Sequence, residues 1–330
     1  MPLHLDEFRE AEFTGYVENV PPARVYLLRR FLPQRTTSDI DFTYNVITGK
    51  YAQAASITGF SASAPLRDTK ELQKAYGSVA KIQHMFRLDE RQILKFNAPR
   101  NDEEKRQAID YVYQNTDDLI AGVDDVEEFL RAQALYKGVL QYDDTDNDIH
   151  IHVDFEVPEE NKLSSTTPWS EVQEASPLDD ITAAVNQFKS ENQRKKPVVM
   201  HLTSATEALL LKNDQIKYQV YGNPTDKRLL TKQDLANVFS SLGLPPYEIN
   251  DDVLNLYGTG DVALLEDNKF VLLGEDLGFT MIGPTAEKNF QSGKFVKPKI
   301  EDDPPQESVR VGETAFPALQ KPQAIVTMGV

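Results

Sequence analysis

Between residues 102 and 136 the apolar positions fall three and four apart. Ile109, Val112, Leu119, Val123, Val126 and Leu130, with Thr116 among them, line one stripe of a helix. Asn101 and Asp102 offer N-capping chemistry, Glu103 and Glu104 suit the positive end of a helix dipole, and Gly138 marks a stop. At 1.5 Å per residue such a helix runs to about 50 Å, longer than the radius of any domain this chain could build. Its acids Asp117, Asp118, Asp124, Asp125, Glu127 and Glu128 read as a solvated face.

The pattern on either side differs. Residues 1–40 hold scattered apolar positions and a basic knot from Arg24 to Ser38, where Val25, Leu28 and Leu32 share a helical face ended by Pro33. This reads as an arm that packs on something else. From Asp41 to Leu66 the text alternates small, polar and β-favouring residues, punctuated by Gly49 and Gly59, and it resumes through Val79, Ile82, Phe86 and Leu88. The expectation is a long hairpin with too little core to stand alone.

After the helix come strands at 137–142 and 149–157, then a loop from Lys162 to Pro177 that holds the sole tryptophan, Trp169. From Ser176 helices and strands alternate. Ser176 with Asp179 and Ser204 with Glu207 are read as helix caps, as is Thr231 with Asp234, whose helix closes at Gly243. Strands are expected at "VVMHL", "IKYQVYG", "VLNLYG", "KFVLLG" and "GFTMIG", giving an α/β region over about 178–285. A proline- and charge-rich stretch follows Phe290, and "QAIVTMGV" closes the chain as a strand.

The length of 330 residues asks for one large or two medium domains. Acids outnumber bases 52 to 35, for a net charge of −17, which excludes a basic nucleic-acid footprint. No apolar run reaches the length of a membrane span, and no basic-then-apolar leader precedes the first acids. The absence of cysteine removes disulfides and thiolate metal sites, and fits a reducing compartment.

Candidate chemistry concentrates in "QYDDTDNDIHIHVDFEV", residues 141–157, which carry two of the five histidines. A calcium loop starting at Asp143 would need glycine at Asp148 and glutamate at Asp154; one starting at Asp144 meets Ile149 and Phe155 there. Neither register works. On a strand, His150, His152, Asp154 and Glu156 share one side and Ile149, Ile151, Val153 and Phe155 the other, so a metal centre on His150, His152 and Asp154 is one reading. A half-buried strand after a polar turn explains the same alternation, its apolar side holding it to the long helix. Nucleophile, dinucleotide and phosphate-loop patterns are missing: "YGTGDVALL" lacks a third glycine, and "YGNPTDKR" lacks the Gly-Lys-Ser/Thr end. No enzyme and no cofactor is expected.

The order of parts is more telling than any motif. "ALYKGVLQYDDTDNDIHIHVDFEVPEENKL", "TTPWSEVQEASPLDDITAA", "LEDNKFVLLGEDLGFTMIGPTAE" and the closing "PQAIVTMGV" fall in the order seen in the phage major capsid protein E family. Singly weak, together they resemble lambda-like tailed-phage major capsid proteins along most of the chain. The resemblance implies an α+β chain of the Hong Kong 97 capsid fold. Its parts would be an N-terminal arm (1–40), an E-loop with flanking strands (41–95), a P-domain (96–177) with spine helix 102–136 and hairpin 137–157, an A-domain (178–289), and a return to the P-domain (290–330) with a C-terminal strand. It implies a virion protein, assembled in the host cytoplasm, that builds pentamers and hexamers of itself around DNA it does not grip. Arg24, Arg29, Arg30, Tyr51, Phe60, Arg67 and Trp169 become candidate contacts between subunits. The sequence shows no long helical N-terminal extension of the kind some relatives use as a built-in scaffold, and by the resemblance this implies a separate scaffolding protein, unless a prosegment was removed before Met1. A portal and a decoration protein are the further partners implied. The alternative is a metal-binding enzyme or binding protein centred on His150, His152 and Asp154.

Overall fold

The structure is a computed structural model that describes residues 3, 8, 10–47, 72–97, 102–144, 149–223, 226–303 and 305–330. Tyr51, Phe60 and Arg67, with Gly49 and Gly59, lie outside the described residues. In chain order the elements are α1 (Glu10–Asn19), β1 (Gln34–Thr36), β2 (Asp41–Ile47), β3 (Leu72–Ser78), β4 (Ala80–Leu88), α2 (Glu90–Asn97) and α3 (Asp102–Ala132). There follow β5 (Val139–Asp144), β6 (Ile149–Asp154), β7 (Lys162–Ser164), α4 (Pro177–Glu191), β8 (Val199–Leu202), α5 (Ser204–Lys212), α6 (Asp214–Tyr221), α7 (Lys232–Leu242) and β9 (Tyr247–Ile249). The remainder is strand: β10 (Val253–Leu256), β11 (Gly260–Ala263), β12 (Lys269–Leu273), β13 (Gly278–Ile282), β14 (Pro284–Thr285), β15 (Gln291–Ser292), β16 (Phe295–Asp302), β17 (Pro305–Leu319) and β18 (Ile325–Gly329). Two compact units emerge, each assembled from three chain segments: 1–43, 76–131 and 279–318 in unit 1, and 44–75, 132–278 and 319–330 in unit 2.

Unit 1 is organised by α3. The predicted stripe is buried where it counts: Val112, Leu119 and Val123 join Phe13 and Val17 of α1, Leu88 of β4 and Val309 and Val311 of β17 in one cluster. Each such aliphatic or aromatic side chain contributes about 1.5–3 kcal/mol when withdrawn from water. Regular helix ends at Ala132, continues as a π-turn over Gln133–Lys137, and stops where Gly138 takes φ 70°, a value glycine reaches without strain. Helix α1 was not expected. Its Phe13, wholly buried, meets Tyr113 of α3 edge-on at 5.9 Å, so its apolar residues are fixed by tertiary packing.

Two further expectations fail here for local reasons. The segment around Leu28 is a single 3-10 turn, Leu27–Arg30, and not an α-helix; Leu28 and Leu32 are buried, while Val25 is 82% exposed. Residues 90–97 are helix where a strand was read on. Asp89 accepts from the Gln92 amide at 2.8 Å and Gln92 Oε1 accepts from the Asp89 amide at 3.0 Å, a reciprocal cap that starts α2.

The sheet of unit 1 runs β1-β13-β17-β16, with β4 also on β17. Strand β17 pairs antiparallel with β16 over Pro305–Gly312 and with β4 over Glu307–Ala315. At Gly312 the strands close tightly: a Cβ there would stand 2.4 Å from the Ile82 carbonyl oxygen and 2.9 Å from Phe295. Backbone cannot swing aside as a side-chain tip can. Gly312→Ala should therefore cost about 1–3 kcal/mol or more by overpacking, read as a lower urea midpoint with hydrogen exchange rising first along β4.

Unit 2 is an α/β unit around the sheet β7-β18-β12-β8-β9. Strands β18, β12 and β8 pair antiparallel, while β7 joins β18 and β9 joins β8 in parallel. Leu178, Ile181, Val185 and Phe188 form the buried face of α4, which packs on β12 and β18. The Thr231–Asp234 capping box is present and Gly243 closes α7. The other two caps are corrected. Ser176 makes no side-chain cap bond, and α5 is capped one residue earlier than expected, by Thr203. "IKYQVY" is helix, not strand: Asn213 caps its first turn, and only Ile216 is buried, so its alternation carries no sheet face.

Two strands fall in other sheets than expected. "GFTMIG" contributes β13 to unit 1, pairing parallel with β1. The closing strand β18 does not return to the β-rich strip after the helix; it sits inside the unit 2 sheet between β7 and β12. Its Val326 and Met328 are buried, so the two burial-rich strands of this sheet find each other across about 50 residues of sequence.

Candidate functional site

The most developed polar site is the acidic face of α3, which was expected in water. Of its six acids only Asp118 is exposed; Asp124, Glu127 and Glu128 are buried, and Asp117 and Asp125 are half-buried. They are where the N-terminal segment is fastened. Tyr16 donates to Asp117 at 2.7 Å, Arg24 and Tyr26 donate to Asp125 at 2.8 and 3.1 Å, and the Leu28 amide donates to Glu128 at 2.7 Å. Gln34 donates to both oxygens of Glu127, at 3.0 and 2.8 Å.

Arg131 closes the network. Its guanidinium, 1% exposed, pairs with Glu127 and with Glu128 (3.1 Å) one turn back on α3, and its Nε donates to Thr280 Oγ1 at 2.8 Å. Thr280 in turn donates to the Leu32 carbonyl at 2.9 Å, so helix, arm and β13 meet at one side chain. Lys294 pairs with Asp124 at 2.6 Å. Burial raises the Asp124 carboxyl, and Lys294 offsets part of that. Glu127 is held below the usual carboxylate range: burial opposes this, but a hydrogen bond from Glu313, the charge of Arg131 and the Gln34 amide outweigh it. Buried charge is tolerated only when each lone pair has such a donor.

Among the described residues the histidine pair is not gathered into a metal centre. His150 and His152 are exposed as expected, but His150 Nδ1 lies 3.0 Å from Asp143, and Asp154 accepts from the Glu156 amide at 2.8 Å in a turn. Their side of β6 offers no third ligand at bonding range among the described residues. Of the apolar side, Phe155 is buried, Ile151 and Val153 are half-buried and Ile149 is 41% exposed.

Among the contact candidates, Trp169 is corrected: it is wholly buried, stacked on Phe270 at 5.6 Å, with Nε1 donating to Asp180 at 2.9 Å. A residue so placed cannot reach another subunit. Arg24 is spent on Asp125, Arg29 donates to Gln34 at 2.6 Å, and Arg30 lies over the Phe31 ring at 4.6 Å. Within the chain Arg24 ties the arm to α3, whereas Arg29 and Arg30 make local contacts in the arm. A polar knot missed in the sequence lies in unit 2, where Tyr136 OH stands 2.7 Å from buried His201 Nδ1 and accepts from Asn250 at 2.8 Å. It binds the turn after α3 to β8, and its three members are too far apart in sequence to form a motif.

The arrangement is one of strands on a long helix, held by ion pairs, with an α/β unit beside it in the chain. That architecture is the Hong Kong 97-type capsid fold, and residues 10–330 match the model of the family described as phage major capsid protein E. The chain belongs to that family: it is a bacteriophage major capsid protein, a structural protein of the virion. Solved structures agree on the fold. A putative capsid protein of a prophage of E. coli CFT073 is similar over 97% of this chain and 98% of its own, at 14% identity and a TM-score of 0.65. A phage-related protein from Bordetella bronchiseptica RB50 covers 97% and 96%, at 10% identity and 0.55, and the capsid of Myoviridae phage XM1 covers 94% and 93%, at 8% and 0.53. No curated protein sequence matches. Among the described residues no helix is long and apolar enough to cross a membrane.

Proposed function

We propose that this chain assembles with copies of itself, as pentamers and hexamers, into the icosahedral head of a tailed phage that encloses double-stranded DNA. The observation that carries the reading is the family match over residues 10–330. The net charge of −17 supports enclosure without grip, because an acidic wall repels packaged DNA at close range. Strand β3 supports contacts beyond the chain: it pairs only with β2 among the described residues and leaves Tyr76 80% exposed. Two strands alone do not make a stable sheet in water. We assign the P-domain to the sheet and helix of unit 1 and the A-domain to the α/β unit, with assembly in the host cytoplasm guided by a separate scaffolding protein around a portal. A decoration protein is a further partner to test, and no cofactor or catalysis is part of the reading.

Electron microscopy of the purified protein, alone and with a scaffolding protein, tests this directly. Shells or tubes of five- and six-fold rings are expected. A chain that stays monomeric under every condition would refute it.

A further inference from the structure

We propose that Glu127 and Glu313 hold one proton between them, and that this shared proton is a clip fastening β17 to α3 inside unit 1. The two side chains are 1% and 2% exposed, and with Asp124 they bring a carboxylate oxygen each to within 4.8 Å of one another. Their partners are unequal. Glu127 receives Arg131 and two bonds from Gln34, whereas Glu313 Oε1 has no donor. The anion therefore belongs on Glu127 and the proton on Glu313, which donates it across the gap.

The surroundings leave Glu313 no counter-charge of its own. From α3 it faces Asp124 and Glu127, with Glu128 behind them, and Arg131 is engaged by Glu127 and Glu128. Lys294, ahead of β16, is 2.6 Å from Asp124. Arg29, on the arm, acts on Asp124 from the edge of the cluster. On β4 the residue opposite Glu313 is Ile82, and the neighbouring Lys81 pairs with Glu287. On β17 itself Arg310 also pairs with Glu287. From β13, Thr280, which binds Arg131, is neutral. A fourth anion in this buried group would stand uncompensated, and a proton is the least costly remedy. The donors already on Asp124 and Glu127 leave those oxygens little room for a metal ion.

Burial, then the hydrogen bond to Glu127, raises the Glu313 carboxyl well above its ordinary value. Between those two values the folded chain holds a proton that the unfolded chain has lost. The contribution of Glu313 to stability is thus complete below the ordinary carboxylate range and is lost as pH rises through the raised value, by up to about tenfold in the unfolding constant per pH unit. The carboxylates held low elsewhere are ionised in both states across this window, so they do not mask the slope.

The test is thermal unfolding of the full chain from about pH 5 to about pH 9, for wild type and Glu313→Gln. Glutamine donates the same hydrogen bond but cannot titrate. Its unfolding midpoint should fall less steeply with pH and exceed that of wild type at the alkaline end. Infrared spectra should show a protonated carboxyl in the folded wild type at neutral pH that is missing from the variant. A variant with the wild-type slope would overturn the proposal. So would a folded wild type without a protonated carboxyl, a measurement that stands even if the variant fails to fold. A stabilisation by calcium or magnesium that Glu313→Gln abolishes would overturn it in favour of a cation.

Discussion

Arg131→Met should destabilise unit 1 by about 3–5 kcal/mol, the usual cost of leaving a buried charge without its partner. Methionine fills similar space, so the loss is electrostatic and not a cavity. Glu127 and Glu128 would keep Gln34 and the Leu28 amide but lose the Arg131 guanidinium, and Thr280 would lose the Nε donor. Lysine is a poor substitute, because one ammonium cannot reach two carboxylates and a hydroxyl with a planar fork. Urea unfolding followed by circular dichroism gives the size of the effect, and hydrogen exchange gives its place: amides of residues 28–34 and β13 should open first. Adding Glu127→Gln and Glu128→Gln to Arg131→Met should recover much of the loss, since a neutral group needs no counter-ion. An Arg131→Met protein as stable as wild type would show the network to be ornamental.

Trp169→Ala should cost unit 2 about 3–5 kcal/mol. The indole is wholly buried against Phe270 of β12, a central strand, and its removal leaves both a cavity and Asp180 without the indole donor. Trp169→Phe should restore most of the packing and none of the hydrogen bond, so it should fall between the two. Because Trp169 is the sole tryptophan, its fluorescence in wild type reports the unfolding of unit 2. An alanine variant that unfolds at the wild-type urea midpoint, measured by circular dichroism, would mean that the pocket collapses without cost.

How legible was this molecule in its residues? The long helix, its stop at Gly138, the Thr231 cap and most strands of unit 2 follow from period and punctuation, because those elements bury one face and cap locally. Helix α1 and the fate of the α3 acids do not, since both depend on partners about 100 residues away, as in Tyr16–Asp117 and Leu28–Glu128. A run of six acids on one helix reads as a wet face unless the arm that covers it is known. The Asp89–Gln92 cap that starts α2 is a local signal hidden in the sequence by the β pattern around it. "IKYQVY" misleads because β-branched and aromatic residues alternate by chance on a short helix. The order of parts along the chain, by contrast, led to the family where no single motif could.

The position of β18 has a consequence in time. It is downstream of every other strand of its sheet, yet it occupies an interior place, hydrogen-bonded to β12 on one edge and β7 on the other. While the ribosome is still translating, β12 and β7 have no common neighbour, and the sheet remains open until residue 329 has emerged. Pairings this distant in sequence form late and slowly. Synthesis therefore acts as a clock for this sheet: β12 and β7 wait with open edges until β18 arrives to join them.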